Sequence, residues 1–193
     1  MVTAWPFIGI VRETSLPNLA TLPVLIPLAA VLAHVVWTDL TERRIANGAV
    51  LAVLALWPVQ LLLTGRPDPW WSGPLAGSLL LGVGLLAWQA RVLGGGDVKL
   101  AAALAILVGL GGLLEFLLVT TLAGGVLALL MILADRIRPW LAALAAQLLP
   151  VPVAGRLGTF LLADPAGRPA SVPYGIALAA GGLWWAATLL GHS

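Results

Sequence analysis

Six stretches of this chain are apolar for close to the length that a helix needs to cross a bilayer, and the charged residues fall largely in the gaps between them. Crossing about 30 Å of hydrocarbon as α-helix takes about 20 residues. The stretches run from about 20 to 38, 46 to 64, 73 to 90, 98 to 111, 113 to 134 and 174 to 191. With 61% of its 193 residues hydrophobic and only 9% charged, the chain has too few charges to coat a water-facing surface. Its nine Trp, against three Phe and one Tyr, fit interfacial aromatic belts. The expected fold is an all-α, polytopic membrane bundle of about six transmembrane helices, forming a single domain over residues 1–193. The fourth stretch is short, and only Gly109, Gly111 and Gly112 part it from the fifth. A tight turn or a tilted helix is expected there.

Between Asp135 and Pro173 the pattern changes. Trp140 to Ala163 is apolar, but Gln147, Pro150, Pro152 and Arg156 interrupt it. Ile137, Leu141, Leu144 and Leu148 recur at helical spacing after Pro139, a good first-turn residue, so the segment 135–172 reads as interfacial, with a helix lying in the head-group plane. In a six-span topology Arg43, Arg44, Arg91, Lys99, Arg136, Arg138, Arg156 and Arg168 share one side, and only Arg12 and Arg66 the other. The positive-inside rule then sets both termini outward and turns the segments around 39–47, 91–99 and 135–173 to the cytoplasm. No basic residue precedes Arg12, so the start does not read as a cleaved signal peptide and is expected to be retained.

Several function classes fall away. The absence of cysteine excludes disulfides, thiolate metal sites and a Cys nucleophile. A net charge of +2 with dispersed basic residues gives no nucleic-acid footprint. No Gly-rich phosphate loop or HExxH site is present, and no cofactor or metal is expected.

An acid at the centre of a spanning helix costs about 2.5 to 3.5 kcal/mol on insertion scales, so the position of each one is informative. Asp68, Glu115, Asp135 and Asp164 sit at ends or in loops, where solvation or snorkelling accounts for them. Asp39 closes the first stretch, and Asp39-x-x-Glu42 fits a capping box. Asp97 follows Gly94-Gly95-Gly96 and could be a plain N-cap with the glycines making the turn. In the six-span topology, however, both acids lie at the same rim on different helices. Two carboxylates 4 Å apart repel by about 1 kcal/mol in water and about 4 kcal/mol at an effective dielectric near 20, roughly three pK units. A partly dehydrated pair would share one proton. Such a pair can hydrolyse an amide: the ionised carboxylate takes a proton from the attacking water while its protonated partner hydrogen-bonds the carbonyl oxygen. The glycines would leave room for an extended substrate backbone.

At these residues the sequence resembles the prepilin peptidases, aspartic proteases of the GxGD class. Gly94-x-Gly96-Asp97-Val98-Lys99-Leu100 matches the second-aspartate motif of that family, and Asp39 through Arg44-Ile45-Ala46-Asn47 resembles the first, with Ala46 where Pro is usual. Val172-Pro173-Tyr174-Gly175 is similar to the family's Pro-aromatic-Gly start of the last span. Presenilin-like relatives carry a Tyr-Asp first motif, which Thr38-Asp39 does not match. The resemblance implies Asp39 and Asp97 as the catalytic pair. It also implies substrate-positioning roles for Gly94, Gly95, Gly96, Asn47, Pro173 and Tyr174.

The paired-Cys region of longer, methylating members has no counterpart here, so the resemblance is to the short, peptidase-only form associated with Flp pili. It implies a prepilin or pseudopilin precursor helix as substrate, cut just after a Gly at the cytoplasmic face of the bacterial inner membrane. The implied partners are that precursor, the lipid bilayer and, through the product, a pilus assembly machinery, with no nucleic acid. The sequence carries no signal for oligomeric state.

Two other readings use the same residues: a proton- or ion-coupled transporter with the acids as binding groups, and a non-catalytic assembly subunit in which they are dispensable. Transporter sites tend to lie at the midplane between inverted repeats, and neither feature is visible. Arg43, Arg44 and Arg91 read as anchors to anionic lipid, and Lys99 as a snorkelling anchor. His34, about 140° around the helix from Asp39, is expected to make a polar contact in the core.

Overall fold

The computed structural model describes residues 22–64, 69–148 and 173–191, and all regular structure in them is helical. The helices are α1 (Leu22–Glu42), α2 (Asn47–Thr64), α3 (Ser72–Gln89), α4 (Gly95–Leu148) and α5 (Tyr174–Gly191). The expectations for the N-terminus, Arg66, Asp68, and the part of the interfacial segment holding Pro150, Pro152, Arg156, Asp164 and Arg168 lie outside the described residues.

α4 is two helical legs in one. At Gly109 the backbone takes φ 72°, ψ 175°, outside helical space, and the chain reverses. Contacts establish the reversal. Before the break, Val98 lies against Gly84 of α3 and Ile106 against Gly73, so residues 95–108 run antiparallel to α3. After it, Gly112 faces Trp185 of α5 and Gly124 faces Tyr174, so the returning leg runs antiparallel to α5 and back to the end where α4 began. Gly109 is thus the tight turn expected between the fourth and fifth stretches. The first N–H after it, on Leu110, donates to Ser72 Oγ at 2.8 Å.

The core is built from single faces of these helices. Val24, Leu28, Leu32 and Val35 fall at three- and four-residue spacing on α1 and are sealed from solvent. Leu28, Leu32 and Val35 meet Val53 of α2, Leu100, Leu104 and Leu107 of α4, and Leu178 of α5. Outward positions are also apolar: Leu62, Leu86, Leu122 and Trp140 are each more than half exposed. A water-soluble domain rarely presents so many large apolar side chains to its surroundings. By length and composition, Leu22–Thr41 and Gly95–Leu148 are able to cross a membrane, whereas Asn47–Leu63 and Tyr174–Leu190 are shorter apolar helices.

Three local expectations change. α1 does not end before Asp39 but continues to Glu42, so Asp39 belongs to its last turn and caps no following helix in the manner of a capping box. The fifth stretch does not stop at residue 134. The helix runs through Pro139 to Leu148, and the leucine pattern read as a separate interfacial helix continues the returning leg, which is roughly 58 Å long at 1.5 Å per residue. Pro139 lacks the N–H that would serve the Asp135 carbonyl, and the Arg138–Asp135 ion pair (3.1 Å) spans the same turn. His34 is exposed rather than in the core.

Candidate active site

Asp39 continues the inward stripe of α1, four residues after Val35, and its side chain is buried, with 6% exposure. A buried carboxylate needs partners. Its Oδ2 accepts the backbone N–H of Gly175 at 2.9 Å. Gly175 lies in the first turn of α5, where N–H groups have no partner within the helix, so Asp39 caps a helix that begins 135 residues later in the chain. A Cβ at position 175 would stand 2.8 Å from that oxygen, closer than real Cβ atoms come, and 3.1 Å from Cγ. Any larger residue there would have to push the carboxylate or the start of α5 aside. The Arg43 guanidinium acts on the same carboxylate from the loop after α1.

Asp97 is not the residue that opens α4. Gly94 holds the cap position, with its carbonyl accepting Val98 N–H at 3.1 Å, and Asp97 stands in the first turn. Its carboxyl group turns back onto Gly94, whose backbone is a hydrogen-bonding partner. A Cβ at Gly94 would stand 2.7 Å from Oδ2. The other two glycines face protein. Gly95 looks onto the Trp88 indole. A Cβ at Gly96 would come within 3.1 Å of Ile45 Cβ, so its smallness lets the start of α4 close on the loop between α1 and α2. This contact, together with Lys99 Nζ donating to Asn47 Oδ1 at 3.3 Å, ties the two motifs to each other. Lys99 thus has a protein partner that the sequence did not suggest.

The two acids line one cavity of about 670 Å³ at this end of the bundle, and their charges act on each other. Gly94 and Tyr174 line it as well. Gly95, Gly96, Asn47 and Pro173 do not, and Pro173 is buried just ahead of α5. The sequence reading missed six contributors to the wall, two of them Val92 and Leu93 in the loop after α3. Gly124 and Ala128 come from the returning leg of α4, with Gly124 close to the Tyr174 ring. Arg43 and Arg91 come from the loops after α1 and α3. Among the described residues these two arginines are the non-glycine residues with positive φ, 54° and 58°. At Arg91 the cause is visible: Arg91 N–H bonds to Trp88 O and Val92 N–H to Ala87 O, both at 2.9 Å. This is the Schellman closure of a helix, whose left-handed residue is usually Gly. The signal that could have located Gly175 was its place two residues after Pro173 at a helix start; for the arginines, it was their position just past a helix end.

Among the described residues no group of three or more His, Cys, Asp or Glu side chains gathers. The chemistry on offer is a pair of acids from separate helices, each held by backbone N–H, in a cavity with two guanidinium groups.

Comparison with known proteins agrees with that inventory. The chain belongs to the type IV leader peptidase family, whose model matches residues 26–129, more than half of the chain and including both aspartate motifs. The resemblance to a prepilin peptidase therefore holds at the level of the family, which makes the protein a membrane-associated protease. No curated protein and no solved structure matches it.

Proposed function

We propose that this protein is an intramembrane aspartic endopeptidase that removes the leader of a type IV, Flp-type prepilin or pseudopilin at the cytoplasmic face of the bacterial inner membrane. The observation that carries the reading is the convergence of Asp39 and Asp97, from the two motifs, on one cavity at one end of the helices. There the pair shares a proton: the ionised member takes a proton from water as the oxygen attacks the peptide carbonyl, and the other hydrogen-bonds the carbonyl oxygen. The proton belongs to the pair.

The topology is a bundle of six spans in one domain, with the two legs of α4 counted separately. Its orientation is supported by charge. All the basic residues described (Arg43, Arg44, Arg91, Lys99, Arg136 and Arg138) lie at or beyond the cavity end, the side expected to face the cytoplasm. A precursor helix that stops at this rim would present its unwound junction to the cavity, beside Gly94 and Tyr174.

The test is Asp39→Asn and Asp97→Asn, made singly, with a pilin precursor as substrate and membrane levels matched. Each is expected to lower the cleavage rate at least ~10³-fold, the scale of losing a positioned acid or base. Cleavage at the parent rate by either variant would sink the mechanism. Cleavage in detergent, with no gradient, would exclude a need for transport.

A further inference from the structure

Four charged groups line the cavity, and two of them are the acids, with Arg43 already acting on Asp39. The guanidinium groups of Arg43 and Arg91 are the others, and both are placed at a backbone cost: each residue stands at the left-handed position past a helix end, where glycine is comfortable and an L side chain is strained. Strain of this kind is kept where the side chain has a use. With one proton on the acid pair, the cavity carries a single negative charge from the carboxyls and two positive charges from the arginines. The remaining wall, Val92, Leu93, Gly94, Gly124, Ala128 and Tyr174, adds no charge.

Hydrolysis of a peptide bond places a new anion in this space. Water oxygen bonds to the carbonyl carbon, the C–N bond breaks, and the nitrogen leaves with a proton as an amine, ionised to ammonium in water. The acyl half becomes a carboxylate, and the pair regains its single proton. That carboxylate forms beside a negatively charged acid pair, which repels it. Guanidinium is the side-chain group whose donor geometry best matches a carboxylate.

We propose that Arg43 and Arg91 form a binding site for the C-terminal carboxylate of the peptide half released by the cut. The inference rests on the peptidase reading for the origin of the carboxylate, but the site itself can be measured without turnover.

The experiment uses the full chain in nanodiscs of zwitterionic lipid. The probe is a fluorescent synthetic peptide, the leader fragment of the precursor used in the cleavage assay, made with either a free C-terminal carboxylate or a C-terminal amide. The carboxylate form is expected to bind at least tenfold more tightly. Arg43→Gly and Arg91→Gly are each expected to reduce that preference, and the double variant to abolish it, while the melting temperature holds or rises because glycine suits both turns. A merely structural role predicts the reverse: a lowered melting temperature and an intact preference. Arg44→Gly, exposed and outside the cavity wall, is expected to leave the preference unchanged. Equal affinity of the two peptides for the parent protein, or a preference that survives in the double variant, overturns the proposal. If anionic lipid, and not the peptide carboxylate, is what the pair holds, the two peptides bind equally in the zwitterionic discs, which also overturns it. A carboxylate preference without cleavage of any precursor would leave this site standing and remove the peptidase reading; cleavage without the preference would do the opposite.

Discussion

The two ends of the bundle solve the same backbone problem differently. At the end away from the cavity the chain must reverse within α4, and the residue with positive φ is Gly109. At the cavity end two helices must stop sharply, and the residues with positive φ are Arg43 and Arg91. Left-handed backbone costs an L residue roughly 1–2 kcal/mol and glycine almost nothing. At Gly109 the reversal takes a conformation open essentially to glycine; at Arg43 and Arg91, whose side chains line the cavity, the chain accepts the strain. Hydrogen bonding divides the same way. The far end satisfies Leu110 N–H with a neutral serine, whereas the cavity end satisfies Gly175 N–H with the buried carboxylate of Asp39. One end is arranged for closure and the other for holding charge in place.

Gly175→Ala tests the cavity end most sharply. The added methyl would sit 2.8 Å from Asp39 Oδ2, so either the carboxylate or the start of α5 must shift. Misplacing a reacting group by about 1 Å can cost about 10²-fold in rate, and a fall in kcat/KM of roughly that size is expected, with little change in melting temperature. A normal rate in this variant would mean that the Gly175 contact does not position Asp39.

Gly109→Ala should do the opposite. Its φ of 72° with ψ of 175° lies in a region open essentially to glycine, and a non-Gly residue held there costs ~1–3 kcal/mol. Stability in detergent should drop by about that amount, while the rate per folded molecule stays at the parent value. If the rate falls along with stability, the two ends are mechanically linked and the division above fails. Ser72→Ala is a milder probe of the same end. It leaves the partly buried Leu110 N–H without its acceptor, at a cost of about 1 kcal/mol, again without effect on the rate per folded molecule.

How far these roles were legible in the sequence depends on whether they come from local pattern or from pairing across the chain. The apolar stretches and the glycine turn near 109 could be read because helix length and glycine chemistry are local properties. The buried position of Asp39 was also encoded locally, since it extends the spacing of Leu28, Leu32 and Val35, yet the capping-box pattern at Asp39 and Glu42 competed for the same residue. Gly175 against Asp39 could not be read, because it joins residues at opposite ends of the sequence and depends on how α1 and α5 align. The returning leg of α4 past residue 134 was misread for a different reason. Pro139 signals a helix start as readily as a kink, and only tertiary structure chooses between them.

Asn47 and Lys99 make the finest distinction. The resemblance assigns Asn47 to substrate positioning, whereas in the fold its side chain meets Lys99 Nζ at 3.3 Å, exposed and outside the cavity wall. An exposed hydrogen bond to a charged group that is this long belongs at the low end of the usual range, about 0.5 kcal/mol. If its role is to hold the two motif loops in register, Asn47→Ala and Lys99→Ala should each lower kcat/KM about twofold. The double variant should be no worse than either single one, because both remove the same bond. Losses that multiply, or a tenfold effect of Asn47→Ala alone, would mean that Asn47 meets the substrate itself. The working surface would then extend beyond the cavity, onto the outer side of the loops that the strained arginines close.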